Sequence, residues 1–141
     1  MKPGGILVMS FPNIDSWQSS FGKGLWFHID PPRHLFLFRP KAFKRAMAEY
    51  GFEVIHEKHF NPEYNPFGTQ QTLLNRMGIK RDALYESMKN NHAYLEDVSG
   101  ASKGFQWFFS RATAPLFLLT DLLAAAFKKG GTVEFILKKK A

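Results

Sequence analysis

The chain has 141 residues, of which 45% are apolar, and this apolar content excludes a disordered tail. It contains no cysteine, which excludes disulfides, thiolate chemistry and cysteine-based zinc sites and fits a reducing compartment. Its net charge of +7 favours acidic partners such as nucleic acid, anionic lipid or phosphorylated substrates. The N-terminus lacks the charged-then-apolar pattern of a signal peptide, so we expect a cytoplasmic protein.

The first predicted element is a strand at residues 5–10. The segment KPGG at residues 2–5 is typical of a turn, and the apolar run ILVM at residues 6–9 is rich in residues that favour strands. Strands that are buried on both faces have this composition and lie inside parallel sheets covered by helices. We therefore expect a strand from the middle of a sheet, in a chain that starts partway through an α/β domain.

A long loop follows at residues 15–38, broken by Gly22, Gly24 and Pro31-Pro32, with room for a short turn at residues 14–21. Loops of this length in compact domains usually bind ligands or act as lids. We therefore place the candidate functional residues here.

A helix and a second strand come next. Pro40 opens the helix at its first turn and Gly51 ends it. Residues 52–59 alternate as a strand at or near the sheet edge. Further helices are predicted at residues 67–77 and 81–88, and residues 97–103 (DVSGASK) are predicted to be a flexible connector.

Residues 105–127 are strongly apolar and predict one or two helices, divided at Pro115. The longest uncharged run, residues 112–120, has nine residues, too few for a transmembrane span. Two interpretations stay open. The preferred one is a packed helix that covers the sheet, and the other is an interfacial helix on a membrane, with the basic pair Lys128-Lys129 at its end.

Basic residues are concentrated at the C-terminus, where the preferred interpretation of Lys138-Lys139-Lys140 is a solvated strand end. No ladder of stacking aromatic residues and no helix-turn-helix pattern accompanies them, so nucleic-acid binding is not favoured.

Residues 2–13, KPGGILVMSFPN, resemble the fifth strand of class I S-adenosylmethionine-dependent methyltransferases, where a Leu-Lys-Pro-Gly-Gly turn introduces a strand that ends near the substrate. Residues 26–60, WFHIDPPRHLFLFRPKAFKRAMAEYGFEVIHEKHF, are similar to the family's next stretch, a substrate-side loop, a helix and a sixth strand. Residues 130–140, GGTVEFILKKK, resemble the seventh strand, which in that fold runs antiparallel between strands five and six.

The resemblance implies an α/β fold, namely the strand 5–7–6 edge of a partial Rossmann-like sheet with strand 7 antiparallel and inserted helices. We expect a single domain at residues 1–141, with a strand–loop–helix–strand unit at 1–60, a helical insert at 61–129 and a final strand at 130–141. The family's cofactor is S-adenosylmethionine, held by a glycine-rich loop after the first strand and by an acidic residue that ends the second.

The cofactor-binding half of the family's fold is missing from this sequence. Gly22-Lys23-Gly24 is the nearest candidate loop, but it has no third glycine and opens no helix. We therefore expect no cofactor-binding residue in this chain, and activity only with a missing N-terminal half or a partner subunit. The unpaired edge of the first strand predicts self-association or pairing with that partner.

Residues 28–34, HIDPPRH, carry the candidate site, with two imidazoles, a carboxylate and a guanidinium. His28 or His34 is a candidate general base or hydrogen-bond partner of the substrate. Arg33 is a candidate clamp for a carboxylate or phosphate. A metal site made of His28, Asp30 and His34 is not favoured, because no further ligand is evident.

A structural role competes with these interpretations, in which Arg33 and His34 bind backbone carbonyls and hold the loop. The resemblance places this stretch beside the substrate, so substrate positioning is our prediction for His28 and Arg33. Asn13 follows the carboxyl end of the first strand, where ligands bind in α/β sheets, and it is a candidate substrate contact or the start of an Asx-type turn.

The sequence therefore predicts the substrate-side portion of a methyltransferase, inactive alone. The alternative is a non-catalytic interaction module, associated with the inner face of an anionic membrane through the apolar helix at residues 105–129.

Overall fold

The computed structural model describes residues 1–30 and 33–141, so that Pro31-Pro32, one of the predicted breaks in the long loop, lies outside the described residues. Three strands and five helices make up the described fold, with 3-10 turns at Lys23–Leu25 and Ala93–Leu95. In chain order these are β1 (Ile6–Pro12), α1 (Trp17–Gly22), α2 (Pro40–Glu49), β2 (Phe52–Lys58), α3 (Asn65–Arg76), α4 (Ala83–Met88), α5 (Gly100–Ala126) and β3 (Thr132–Lys139).

The three strands form one sheet in the order β1–β3–β2, and β3 runs antiparallel to both neighbours. The β1–β3 register sets Phe11 opposite Val133 and Pro12 opposite Thr132. Helix α2 covers one face of the sheet, and its Phe43 ring stacks on Phe135 with centroids 5.1 Å apart. The fold is thus α/β, as expected.

Strand β1 differs from the strand that its composition predicts. Within the described part of the chain it pairs on one side only, with β3. Its Phe11 belongs to the core, but Ile6 and Val8 on its other face are 52% and 59% exposed. The prediction of burial on both faces is therefore wrong for the described chain, because no described element covers that second face.

The helices form a second unit, in which α3 contacts α5 and α1, and α4 contacts α5. Its interior is largely polar. Gln70 Nε2 on α3 donates hydrogen bonds to the Ser110 carbonyl (2.7 Å) and to Thr113 Oγ1 (3.0 Å) on α5. Fully or almost fully buried polar side chains also include those of Asn65, Gln71, Thr72, Gln106 and Asp121.

Helix α5 corrects two predictions made from its sequence. Its start lies inside the predicted connector, because the Ser99 side chain accepts a hydrogen bond from the backbone N–H of Ser102 and caps the helix. Pro115 lies inside one continuous helix rather than dividing two. An interior proline removes the hydrogen bond to the carbonyl four residues earlier, which here belongs to the exposed residue Arg111.

The preferred interpretation of the apolar segment, a helix that covers the sheet, is also wrong, because the segment packs on other helices. Helix α5 packs mainly on α3 and α4. Its most buried side chains are Gln106, Asp121 and Ala124, whereas Phe108 and Leu119 are exposed. The helix therefore turns its more polar side inward.

Candidate functional site

A cleft of about 430 Å³ opens where β1 ends. Its floor includes Ser10, Phe11 and Pro12, the last three residues of β1, together with Thr132, the first residue of the antiparallel β3. The crevice outside the carboxyl ends of strands is the usual ligand site of open α/β sheets. The topology therefore places this cleft in the position of a binding site.

The loop that lines the cleft is held by the helical unit. The fully buried Trp26 anchors its start. The backbone N–H of Phe27 donates to Thr72 Oγ1 on α3 at 3.1 Å, and Arg81 Nη2 donates to the Ile29 carbonyl at 2.7 Å. The side chains at residues 27–30 are thus carried by a fixed backbone, as positioning of a ligand requires.

One wall of the cleft is aromatic. The ring of Phe27 makes edge-on contacts with Phe67 of α3 and Tyr85 of α4, with centroids 5.3 Å and 5.1 Å apart. The sequence analysis missed Phe67 and Tyr85. No local signal marks them, because only the tertiary fold brings two separate helices to the same loop.

His28 is the most unusual ionisable group in the cleft. It is 7% exposed and lies against the rings of Trp26 and Phe27. Burial, assisted by the nearby His34, lowers the pKa of His28 from 6.5 to about 4, so the imidazole is neutral at pH 7. Its Nε2 has no hydrogen-bond partner among the described residues. A buried nitrogen without a partner is costly and needs an explanation.

Gly68 on α3 makes room for this imidazole. A Cβ atom at residue 68 would lie 2.6 Å from His28 Nε2, closer than real side chains approach. The helix surface is therefore shaped around His28.

Arg33 and Asp30 form an ion pair at the rim, with 2.8 Å between Nη1 and Oδ2. A hydrogen bond to Tyr85, followed by the charge of Asp30, raises the pKa of the Arg33 guanidinium. Both side chains are largely exposed. Arg33 therefore lies at the cleft mouth beside the aromatic wall, exposed to solvent and paired with Asp30.

The other two predicted site residues have different surroundings. His34 lines the cleft, half-buried, and its backbone N–H donates to the Asp30 carbonyl at 3.1 Å. Asn13 is fully buried, donates to the Gly130 carbonyl at 3.0 Å and accepts from the Asp15 N–H at 3.0 Å. The second bond is that of an Asx-type turn. Substrate contact by Asn13 stays a prediction.

Among the residues that the structure describes, no three histidine or carboxylate side chains form a metal-binding group. His28, Asp30 and His34 are among these residues and form no such group.

Gly22 and Gly24, the nearest candidates for the family's cofactor loop, do not fit that role. Gly22 ends α1 and is buried, and a Cβ there would lie 2.6 Å from Thr72 and 2.7 Å from Trp26. Gly22 is thus needed for packing. Gly24 lies in a 3-10 turn with open space around it. Neither stands between a strand and a helix, where a cofactor-binding glycine loop belongs.

Comparison with protein-family models matches residues 1–57 to the family described as a methyltransferase domain. No curated protein and no solved structure matches the chain. The matched range contains β1, α2 and nearly all of β2, and it carries His28, Arg33 and His34. The resemblance drawn from the sequence is thereby confirmed for this range, in which the chain matches a methyltransferase domain.

Proposed function

We propose that this chain forms the acceptor-binding side of an S-adenosylmethionine-dependent methyltransferase and is inactive alone. In this proposal β1, β3 and β2 correspond to strands five, seven and six of the family's sheet, since β3 is antiparallel and central as in that order. The methyltransferase match and the position of the cleft support the assignment. The cofactor is bound by another segment or subunit, because Gly22 and Gly24 do not fit it.

The observation that carries the proposal is the buried, neutral His28 in an aromatic cleft. A neutral imidazole nitrogen accepts a hydrogen bond from an N–H or O–H group, and with a pKa of about 4 His28 stays available for this at pH 7. Nε2 is buried against Gly68, so in this proposal the His28 ring turns toward the cleft when the acceptor binds, and Nε2 then accepts a hydrogen bond from the acceptor's nucleophilic hydroxyl or amine. The main task of such a site is to align the nucleophile, and the fixed loop is suited to it.

The walls and rim of the cleft define the acceptor class. Phe27, Phe67 and Tyr85 offer flat apolar surfaces, which suit an aromatic or other apolar body. Arg33 at the mouth is paired with Asp30 at 2.8 Å, and in this proposal it exchanges that carboxylate for a carboxylate or phosphate of the acceptor. We infer an acceptor with an apolar body, a nucleophilic hydroxyl or amine, and an anionic group.

The partner in this proposal joins the sheet at β1. The described residues leave the outer edge of β1 unpaired and Ile6 and Val8 exposed. An edge strand of this kind offers backbone N–H and C=O groups for pairing with a further strand. We propose that the cofactor-binding part pairs here, and that isolated chains self-associate through the same edge.

Calorimetric titration with phenyl phosphate and with benzoate tests the acceptor class. We expect binding to the unaltered chain, weakened about tenfold by Phe27→Ala, which removes the aromatic wall. Arg33→Ala should weaken the binding of both anions. The matched control is Ile55→Ala, an exposed apolar residue on β2, which should bind as the unaltered chain does. Equal binding by all four proteins, or no binding of either anion, contradicts the proposed acceptor class.

A further inference from the structure

The outer face of α5 is a continuous apolar surface on the outside of the protein. Its side chains lie opposite the side that packs on α3 and are between 40% and 71% exposed. We define this outer face by the residues Phe108, Leu116, Leu118, Leu119, Leu122, Leu123 and Phe127.

Helix α5 exposes its apolar side and buries its more polar side, which is the reverse of a helix on the surface of a water-soluble domain. Such helices bury their apolar stripe and expose their polar one. In α5 the buried stripe instead contains Gln106 and Asp121, held by hydrogen bonds within the helical unit, while the leucines face outward. Asp121 accepts hydrogen bonds from Gln18 of α1 and Thr69 of α3, whereas Gln106 donates to Ser102 within α5 and its Oε1 has no partner among the described residues.

Length, composition and exposure separate α5 from an ordinary core helix. It is long and apolar enough to cross a membrane, a property that core helices of soluble proteins share. A core helix is mostly buried, however, and only 11% of the most apolar stretch of α5 is buried. The apolar composition of α5 is therefore not explained by packing within the described chain.

The exposed charges of α5 and of Lys128, just beyond its end, are all basic. Asp121 is the single acidic residue of α5, and it is buried on the inner side. Arg111 is exposed, with its guanidinium over the Trp107 ring. The side chain of Lys128 is 68% exposed, although its Nζ lies 3.6 Å from a carboxylate oxygen of the largely buried Glu57. An apolar surface with basic margins and no exposed acid is complementary to anionic lipid.

Aromatic residues of α1 extend this surface. The Trp17 ring lies 5.9 Å from that of Phe127, and both are exposed, as is Phe21 on the same helix. Tryptophan is enriched where protein meets the boundary between lipid headgroups and acyl chains.

We propose that the outer face of α5 binds an anionic membrane surface, with its apolar side chains among the acyl chains and Arg111 and Lys128 among the headgroups. The helix lies along the membrane rather than crossing it, because its inner face is tied to α3 through Gln70 and Asp121. The surface does not depend on the proposed methyltransferase function. It would bring the cleft to a lipid-soluble or membrane-bound acceptor.

Vesicle flotation of the full chain tests the proposal. The vesicles contain phosphatidylcholine alone or phosphatidylcholine with 30% phosphatidylglycerol, a composition chosen for its negative charge. The variant Leu119→Asp sets a charge at the centre of the outer face. Its matched control, Ile55→Asp, adds the same charge at a similarly exposed apolar residue on β2. Circular dichroism checks that each protein is folded.

We expect the chain to float with the anionic vesicles, less with neutral ones, and less in 0.5 M salt. Leu119→Asp should reduce vesicle binding roughly tenfold or more, and Ile55→Asp should leave it unchanged. A folded chain that fails to float at low salt overturns the proposal, as does equal flotation of both variants. Loss of a dimer in Leu119→Asp without vesicle binding by the unaltered chain would make this face a self-interface instead.

Discussion

Gln18 and Asp121, 103 residues apart in the chain, are joined by a 2.9 Å hydrogen bond from Gln18 Nε2 to Asp121 Oδ1 inside the protein. The same amide donates to the Asn65 carbonyl at 2.7 Å, and Thr69 donates to the second carboxylate oxygen at 2.8 Å. Burial raises the pKa of Asp121, although both hydrogen bonds oppose this shift. These contacts connect α1, α3 and α5 through one carboxyl group, which makes Asp121 the centre of the helical unit.

Replacing Asp121 should therefore destabilise the fold. Asp121→Ala leaves the donors of Gln18 and Thr69 buried without their acceptor, at an expected cost of about 2–4 kcal/mol in the free energy of unfolding. Asp121→Asn keeps one acceptor oxygen and should cost less. Urea unfolding measures both, with Asp97→Ala, an exposed carboxylate, as the control. A cost for Asp121→Ala no greater than that of the control would refute this role.

The titration of His28 predicts a pH dependence of stability. Its pKa is about 4 in the folded chain and 6.5 in the unfolded one, so the unfolded state binds the proton more readily between these values. The neutral His28 therefore makes its full contribution to the free energy of unfolding above pH 6.5. This contribution, about 3 kcal/mol in total, is lost as the pH falls toward 4.

Two measurements check this. Proton NMR of the imidazole should give a pKa near 4 for His28, and His28→Gln should remove the corresponding loss of stability between pH 6.5 and 4. The matched control is His56→Gln, an exposed histidine on β2, which should keep that loss. An imidazole of His28 that titrates near pH 6.5 would contradict the buried, neutral state on which the proposed site depends.

The lowered pKa of Glu57 predicts a second loss of stability, at a lower pH than the loss caused by His28. Burial alone would raise its pKa, but hydrogen bonds from Lys44 (2.7 Å) and His59 (2.8 Å), with the charge of Lys128, lower it to about 2. The resulting stability is present above pH 4.5 and is lost as the pH falls toward 2. Glu57→Gln should flatten stability curves in this range, and Glu53→Gln, exposed on the same strand, should not. If the stability of both variants fell equally with pH in this range, the low pKa assigned to Glu57 would be contradicted.

Two glycines should respond to alanine in opposite directions. At Gly130 a Cβ would lie 1.7 Å from the His59 carbonyl oxygen, so Gly130→Ala must move backbone and should cost at least about 2 kcal/mol. At Gly104, inside α5, a Cβ meets no atom within 4 Å, and alanine should stabilise by about 0.5–1 kcal/mol. Thermal unfolding of both variants measures the contrast. A melting temperature for Gly130→Ala equal to that of the unaltered chain would contradict the close approach of residue 130 to the His59 carbonyl.

Local signals predicted much of the sheet and its adjoining helix. Pro40 and Gly51 bound α2 because one fixes φ at the first turn and the other adopts a φ of +74° after the last. The same local rules failed at Ser99, whose capping role was obscured by Gly100 and Gly104, and at Pro115.

The parts that could not be predicted depend on contacts between distant segments. The wall residues Phe67 and Tyr85 meet Phe27 only because α3 and α4 fold over the loop. The spacing of Gln106, Ser110, Thr113 and Asp121 does mark a polar stripe on α5. A polar stripe is assigned to solvent by default, however, and only the partners on α1 and α3 reveal that this one is buried.

Isothermal titration of the folded chain with S-adenosylmethionine tests the central claim most directly, because the claim separates the acceptor-binding side from the cofactor-binding side. Circular dichroism and sedimentation on the same sample establish that the chain is folded and give its oligomeric state. The account predicts no measurable heat of binding from a folded chain. Micromolar binding at one cofactor per chain, or per dimer, would contradict it and would mean that these 141 residues build a cofactor site themselves.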